Sequence, residues 1–293
     1  MLCNLCPRNC NVDRSKQKGY CGQTDKIKVA RATLHMWEEP CISGENGSGT
    51  VFFSGCGLRC VFCQNFGIAN GNTGKEITVE RLAQIFLELK EKGAHNINLV
   101  TGDHFVPQII SALDIAKAKG MDLPVVFNTS SYINKETLKM LERYVDIYLA
   151  DFKYFDRETA KKYSNAEDYL SVVKTAIEEM VSQKEKPEYD ENGIMTKGVI
   201  VRHLLMPAHL QESKAIIKYL YEEYGERVVL SIMNQYTPLG NVEKYPEINR
   251  KVTDEEYESL INYAISIGVK EAYVQEGETA DESFIPPFDL EGV

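Results

Sequence analysis

Cysteine is absent from most of this chain of 293 residues, because all eight cysteines lie within the first 63 positions. A long apolar run is also missing, since none approaches the ~20 residues that a membrane-spanning helix needs. The N-terminus lacks the basic flank and apolar core of a signal peptide. We therefore expect a cytoplasmic protein without a membrane partner.

Positive charge is scarce, because 33 Lys and Arg residues face 43 Asp and Glu residues, which gives a formal net charge of −10. Proteins dedicated to nucleic acids usually carry a basic surface or stripe, so we expect no nucleic-acid partner. The longest basic cluster, at 14–18, is expected to be a solvated loop. Internal repeats and low-complexity linkers are also missing, and the length suggests one large or two medium domains.

The clustering of the cysteines favours metal ligands over disulfides, because the cytoplasm keeps thiols reduced and a chain this long needs no cross-links. The sharper group follows a short apolar run with the spacing Cys56-x3-Cys60-x2-Cys63, and we call these the loop cysteines. Three thiolates on one loop suit three corners of a cubane iron–sulfur cluster and leave one iron open for chemistry. A zinc site completed by a fourth residue is the alternative.

Four further thiolates come from Cys3, Cys6, Cys10 and Cys21, which we call the N-terminal cysteines. Such a set suits structural zinc, a rubredoxin-like iron or a second iron–sulfur cluster that passes electrons to the first. The spacing does not decide among these three. Cys41 is left over, and burial as a free thiol is the common fate of such a residue. As alternatives, Cys41 could replace one of the four N-terminal ligands or face the active site.

The loop that carries Cys56, Cys60 and Cys63 resembles that of the radical S-adenosylmethionine (SAM) superfamily, including the aromatic Phe62 before its last cysteine. The continuation over 62–65 is similar to pyruvate formate-lyase activating enzymes. Nearly the whole chain resembles an uncharacterised, activase-related group. This wider resemblance is carried by the segments 3–8, 37–44, 96–101, 146–153, 201–204 and 234–238.

The resemblance implies that the loop cysteines ligate a 4Fe–4S cluster whose fourth iron is chelated by SAM. One electron, from a reductant such as flavodoxin or ferredoxin, would cleave SAM to methionine and a 5′-deoxyadenosyl radical that abstracts hydrogen. The similarity to activases implies a glycine of a glycyl-radical enzyme as the hydrogen donor. A small-molecule or peptide substrate is one alternative, and a non-catalytic iron–sulfur electron carrier is another.

Apolar, β-branched runs alternate with helical patterns through the rest of the chain, which is typical of a parallel α/β fold. As in radical SAM enzymes, we expect a partial parallel (β/α)6-type TIM barrel over 46–293, preceded by a cysteine-rich metal-binding extension over 1–45. The strands are predicted at 51–54, 97–101, 124–129, 147–152, 198–205, 228–233 and 272–275.

Capping residues and apolar residues at helical spacing lie between these runs and predict helices. Thr78 is placed to cap a helix whose apolar residues recur at helical spacing. Thr253-x2-Glu256 predicts a capping box for a helix that Gly268 would end. The polar stretch 183–197 predicts an exposed, mobile insertion.

In a parallel barrel the functional residues follow the C-terminal ends of the strands. Thr101, Gly102 and Asp103 follow the second predicted strand, where relatives carry Gly-Gly-Glu against the SAM amino group, so the resemblance implies SAM binding here. A helix cap is the alternative role of Asp103. Asn128 and Thr129 end the third predicted strand, where activases hold SAM and a monovalent cation, although Asn128 removes one charge from such a cation site.

Asp151 and Lys153 end the fourth predicted strand and match the Asp-x-Lys pattern of glycyl-radical activases. Because side chains alternate along a strand, both could point into the barrel, and we predict catalytic and SAM-binding roles for them. A structural ion pair is the alternative. Arg202 is similar to an activase arginine near SAM, its planar fork suits a carboxylate, and His203 would face the opposite side. Phe62 is likewise expected at SAM, and Gln235 and Tyr236 are further candidates.

Overall fold

The computed structural model describes residues 2–275 and 286–293, and one mixed sheet organises them. Its strands are β1 (Ile27–His35), β2 (Ser48–Phe53), β3 (Lys75–Ile77), β4 (Ile97–Val100), β5 (Val125–Thr129), β6 (Ile147–Asp151), β7 (Glu188–Tyr189), β8 (Met195–Leu204), β9 (Val229–Met233) and β10 (Ala272–Val274). The helices are α1 (Pro40–Ser43), α2 (Phe66–Ala69), α3 (Val79–Glu91), α4 (Val106–Ala118), α5 (Lys135–Leu141), α6 (Arg157–Ser164), α7 (Tyr169–Lys184), α8 (Leu210–Tyr224) and α9 (Asp254–Ser266).

The strand order is β10-β9-β8-β6-β5-β4-β2-β1-β3, with β7 beside β8. From β2 to β10 along this path every pairing is parallel, which confirms the predicted α/β class and the partial, unclosed barrel. β1 and β3 were not predicted, and they extend the sheet antiparallel to β2. β1 lies within the predicted extension over 1–45, so this extension contributes a strand to the same sheet as the rest of the chain.

The two faces of the sheet differ in what covers them. Buried residues of the long helices pack with alternate strand residues such as Val125, Phe127 and Tyr148 in one large core. The intervening strand residues face the other side, where α1 packs against them in a smaller apolar cluster of Cys41, Ile42, Val126, Ile147, Leu149, Met195 and Ile200. Cys41 is thus a buried free thiol, and burial raises its pKa to about 11.

The predicted helix signals are confirmed. Thr78 caps α3 by accepting a hydrogen bond from the Arg81 backbone, and Thr253 and Glu256 form a capping box at α9. α9 ends two residues before Gly268, which adopts a φ of 100°. None of the helices in the described ranges is long and apolar enough to cross a bilayer.

Two predicted loops differ from expectation. The stretch 183–197 is exposed at 188–193, but it forms a hairpin in which β7 pairs with β8, because the Asp190 carboxylate accepts from the backbone of Asn192 and Ile194. In the basic cluster 14–18, Arg14 is buried and only 15–18 are exposed. The Arg14 guanidinium donates to the His104 and Thr24 carbonyls, so backbone acceptors replace the water that was expected around it.

Candidate active site

A cavity of about 220 Å³ lies on the face of the sheet opposite the long helices, at the C-terminal ends of the parallel strands. This is the place where parallel barrels gather their functional groups. The predicted site residues that line it are Cys56, Cys60, Phe62, Cys63, Thr101, Asn128, Asp151, Lys153 and Arg202.

The loop cysteines follow β2 through a tight turn at Gly55, whose φ is 89°. A side chain at this position would meet the Cys21 carbonyl at 2.6 Å, so only glycine fits. The Leu58 backbone N–H points at Cys56 Sγ, 3.4 Å away, and the Asn65 N–H bonds Cys63. Burial raises the pKa of Cys56 to about 11 and that of Cys63 to about 12, so thiolates here need a compensating positive charge.

The chemistry of these three thiols fits a cubane cluster. Three thiolates on one loop can hold three irons of a cubane and leave the fourth iron open. The N–H donors to sulfur are the kind of contact that tunes such a cluster.

Phe62 occupies the position beside the last of these cysteines and packs into an aromatic group. Its ring lies edge-on to Tyr154 and Tyr163, with centroids 6.1 and 6.4 Å away, and tilted to Tyr236 at 5.9 Å. The Tyr154 hydroxyl also hydrogen-bonds Cys60. Phe62 thus presents an apolar surface to the cavity next to the thiols, which helps to exclude water there.

Asp151 and Lys153 both line the cavity and form the ion pair that was the structural alternative, so their catalytic and SAM-binding roles stay predictions. Lys153 Nζ lies 2.7 Å from Asp151 Oδ2, and Arg202 Nε donates to Asp151 Oδ1 at 2.9 Å. The other two Arg202 nitrogens donate to Glu38 at 3.1 Å and to Asn128 at 2.7 Å. All three nitrogens are therefore used within the chain, and the positive charge beside Asn128 disfavours a monovalent cation at that position.

Opposing effects set the protonation of this group. Burial alone would raise the pKa of Asp151, but the positive charges of Arg202 and Lys153 outweigh it, so the pKa lies below its usual value. Burial alone would lower the pKa of Lys153, yet Asp151 and Cys60 raise it. The same balance, with Asp151 as the main partner, raises the pKa of Arg202. Asp151, Lys153 and Arg202 are therefore charged at neutral pH.

Glu38 is the member of this group that the sequence did not indicate. It lies between β1 and α1, and its Oε1 accepts from Asn98 Nδ2 at 2.9 Å and from Asn128 Nδ2 at 3.3 Å. Burial raises its pKa more than Arg202 lowers it, because Arg202 is shared with Asp151. The signal that could have found it is the segment 37–44, which contains Glu38 and is one of the segments that resemble the activase-related group.

Gly102, Asp103 and Thr129 lie behind the cavity wall and do not line it. Thr129 Oγ1 donates to Asp103 Oδ1 at 2.5 Å, and burial raises the pKa of Asp103 to about 6. Asp103 is not the cap of α4, whose N-cap is Phe105. A Cβ on Gly102 would meet Ile109 Cδ1 at 2.7 Å. The SAM contacts predicted for these three residues stay predictions.

Several other candidate residues lie at or near the cavity. His203 points away from it, as predicted, and bonds the Phe152 carbonyl at 2.8 Å. Gln235 lines it, and its carbonyl accepts from Gln64 Nε2 at 2.7 Å. Tyr236 donates to the Ile248 carbonyl at 2.8 Å from a buried position. None of the N-terminal cysteines lines the cavity.

Comparison with known proteins agrees with this geometry. A family model described as the Radical SAM superfamily matches residues 50–185. The uncharacterized protein MJ0674 of Methanocaldococcus jannaschii is 30% identical over 271 residues, which cover 89% of this chain and 74% of that protein. The pyruvate formate-lyase-activating enzyme of Clostridium pasteurianum is 26% identical over 225 residues, which cover 71% of this chain and 82% of that enzyme.

Among solved structures, Streptococcus suis SuiB bound to S-adenosylmethionine has a TM-score of 0.52 and 14% identity, over 76% of this chain and 49% of SuiB. The chain spans about half the length of SuiB, and at this identity the likeness concerns the fold. The family model covers the loop cysteines and the strand end that carries Asp151, both of which face the cavity. With its partial parallel barrel and this cysteine loop, the chain belongs to the radical SAM superfamily.

Proposed function

We propose that this protein activates a glycyl-radical enzyme by removing a hydrogen atom from a glycine of that partner. The observation that carries the proposal is that one cavity brings the loop cysteines together with the Asp151–Lys153 pair. When bound, the cluster supplies the electron that cleaves SAM, and SAM supplies the radical that takes the hydrogen atom.

The loop cysteines would hold the cluster, and their neighbours would adjust it. Lys153 lies close enough to Cys60 and Cys63 to interact electrostatically with both. The Tyr154 hydroxyl adds a hydrogen bond to Cys60. A cation and a hydrogen-bond donor beside thiolates both stabilise added negative charge, and therefore favour the reduced form of a cluster.

The charged group on the cavity floor would orient SAM, whose amino acid end carries one charge of each sign. Asp151 and Lys153 offer charges of both signs within one hydrogen-bonded pair. Arg202 donates to Asp151 from the opposite side, and Glu38 and Asn128 in turn accept from Arg202 and hold it in place. Because these side chains are already held in place, little conformational entropy is lost when a ligand binds.

The similarity to the Clostridium pasteurianum activating enzyme over 71% of this chain supports a protein glycine as the substrate. Flavodoxin or ferredoxin is the proposed reductant, because the reaction consumes one electron for each SAM cleaved. A small-molecule or peptide substrate is the competing proposal, since the loops that contact a substrate are not determined by the fold.

SAM cleavage is tested anaerobically by reconstituting the cluster, adding dithionite and SAM, and quantifying 5′-deoxyadenosine by chromatography. We expect product from the wild type and from a Cys41→Ala control, whose thiol is buried away from the cavity. Cys60→Ala should form none, because it removes a cluster ligand. Equal product from Cys60→Ala and the wild type would contradict the assignment of the loop cysteines.

The substrate is tested by mixing the loaded protein with candidate glycyl-radical enzymes and recording electron paramagnetic resonance spectra. A glycine-centred radical signal that depends on SAM supports the proposal. SAM cleavage without that signal in any candidate would reject it. In that case, transfer of deuterium from a labelled small molecule or peptide into 5′-deoxyadenosine would identify the competing substrate class. A reducible cluster that never supports SAM cleavage would indicate an electron carrier.

A further inference from the structure

We propose that the N-terminal cysteines bind a second iron–sulfur cluster, which relays electrons to the cluster at the loop cysteines. The relay rests on the proposed function, whereas the second site does not.

The N-terminal cysteines are gathered into one small region. A Cβ on Gly19 would lie 3.6 Å from both Cys10 Sγ and Cys21 Sγ, so these two sulfurs flank the same glycine. Cys21 also interacts electrostatically with Cys3, and Cys6 does so with Cys10 and Cys21. All four thiols are free. Four free thiols this close, in a chain that has no disulfide among its described residues, form a ligand set.

The hydrogen bonds to these sulfurs repeat those at the loop cysteines. The backbone N–H of Arg8 bonds Cys6, and that of Gln23 bonds Cys21, in each case from two residues further along the chain. The same offset links Leu58 to Cys56 and Asn65 to Cys63 in the loop.

A further N–H···S bond, with a different offset in sequence, comes from Tyr20, whose N–H donates to Cys10 Sγ at 3.2 Å. N–H donors aimed at sulfur stabilise thiolates, which are the form that binds metal. Both cysteine sets are thus preorganised by their backbones in the same way.

The position of the N-terminal cysteines favours a cluster over tetrahedral zinc. Zinc has no redox chemistry, whereas an iron–sulfur cluster can exchange electrons with a cluster at the neighbouring loop cysteines. A rubredoxin-like iron would give about one iron atom at this site in place of about four.

Only the turn of the cysteine loop separates the two sites. Cys6 Sγ lies 3.5 Å from where a Cβ on Gly57 would be, and Gly57 directly follows the ligand Cys56. Arg8 Nε donates to the Gly57 carbonyl at 2.9 Å, which fixes the N-terminal segment on the loop. Tyr20 stacks beneath the guanidinium groups of Arg8 and Arg59, with distances of 4.2 and 5.1 Å, and so binds the two segments together.

This contact gives the second cluster a route for electrons. A one-electron donor of the flavin or iron–sulfur protein class would reduce the N-terminal cluster, which would then reduce the loop cluster and return to its oxidised form. The donor loses one electron for each SAM cleaved, and no proton or atom is transferred between the clusters. Because electron tunnelling falls steeply with distance, the contact at Gly57 favours this order.

The site is tested by counting iron, acid-labile sulfide and zinc in chains reconstituted anaerobically. We expect about eight iron atoms in the wild type and about four when the three loop cysteines are replaced by Ser. The double variant Cys10→Ser/Cys21→Ser should also retain about four, whereas the Cys41→Ser control should retain about eight. Misfolding of the double variant would leave the loop variant as an independent test, because its N-terminal cysteines are intact.

One zinc per chain, or a loop variant without iron, would overturn the second cluster. These counts do not require SAM cleavage, so failure of the site is distinguishable from failure of the proposed function. The relay is tested by the ratio of flavodoxin-driven to dithionite-driven SAM cleavage. We expect this ratio to fall in Cys10→Ser/Cys21→Ser and to stay constant in Cys41→Ser. An unchanged ratio in the double variant would overturn the relay.

Discussion

Glu38 Oε2 lies 3.1 Å from Arg202 Nη1, and this contact joins the segment before α1 to the strand β8 across the cavity floor. The two side chains are only 9% and 14% exposed. Arg202 also donates to Asp151 and Asn128, so Glu38 helps to fix the position of both. Glu38, which precedes the cysteine loop in sequence, is therefore part of the same site as the loop cysteines.

Replacing Glu38 with Ala should destabilise the protein by about 2 kcal/mol, because a buried Arg202 loses one carboxylate but keeps Asp151. SAM binding should weaken as well, since Arg202 and Asn128 lose a fixed partner. Glu38→Gln should have a smaller effect, because an amide oxygen still accepts from Asn98. Anaerobic thermal unfolding and SAM binding measure these effects, with the exposed Glu45→Ala as the control. Equal stability of the two Ala variants would show that the Glu38–Arg202 contact contributes nothing.

Lys153 is predicted to set the reduction potential of the loop cluster, because its charge interacts with Cys60 and Cys63. Lys153→Met should shift the midpoint potential negative by about 50 mV, which corresponds to roughly 1 kcal/mol of lost attraction for one electron. Lys153→Arg keeps the charge and should shift it much less. A redox titration followed by electron paramagnetic resonance measures the potential of the SAM-responsive signal. Identical potentials for the Met and Arg variants would exclude an electrostatic role.

Asp103 predicts a dependence of stability on pH. Burial raises its pKa from 3.8 to about 6, so the folded protein keeps this proton in a range where the unfolded chain has lost it. The resulting stabilisation is complete below pH 3.8 and is lost as the pH rises to about 6. Above that pH, burial of the ionised carboxylate lowers the free energy of unfolding by at most about 3 kcal/mol.

The variant Asp103→Asn removes this ionisation and keeps an acceptor for Thr129. Relative to the wild type, it should therefore gain more stability at pH 7.5 than at pH 5. Thermal unfolding at both values measures the difference, and the exposed Asp25→Asn is the matched control. A stability difference between Asp103→Asn and the wild type that does not vary with pH would show that Asp103 is ionised throughout.

The parallel strands could be predicted because they are buried on both faces. Strands such as β4, β5 and β6 then form continuous apolar runs, and the predicted ranges agree with them to within a residue or two at each end. β1 and β3 escaped prediction because charged residues interrupt them, for example Lys28 and Arg31 in β1 and Lys75 in β3. Their antiparallel position toward one edge of the sheet tolerates such residues.

The candidate site could be predicted where its signal is local. The spacing of the loop cysteines and of Asp151 and Lys153 lies within a few positions, so the sequence shows it directly. Glu38 meets Arg202 only through the fold, across 164 positions of sequence. Gly102 became a candidate through its position after a strand, and only the fold shows that a side chain there would meet the core side chains Ile109 and Phe53.

Gly102 should therefore affect stability more than SAM binding. Its φ of −81° is accessible to any residue, so backbone strain gives no reason for glycine here. A methyl group would meet Ile109 Cδ1 at 2.7 Å and the Phe53 ring at 3.4 Å, so Gly102→Ala should destabilise the protein by about 1–3 kcal/mol through overpacking.

The measurement compares anaerobic thermal unfolding with SAM affinity in the same preparations. Gly67→Ala is the control, because Gly67 is exposed and its added methyl would make only an ordinary contact of 3.9 Å with Phe288. We expect Gly102→Ala to unfold at a lower temperature with unchanged SAM affinity, and Gly67→Ala to match the wild type in both. Weaker SAM binding by Gly102→Ala at an unchanged unfolding temperature would instead assign Gly102 to the SAM site, because a contact with the ligand changes affinity without changing the packing of the free protein.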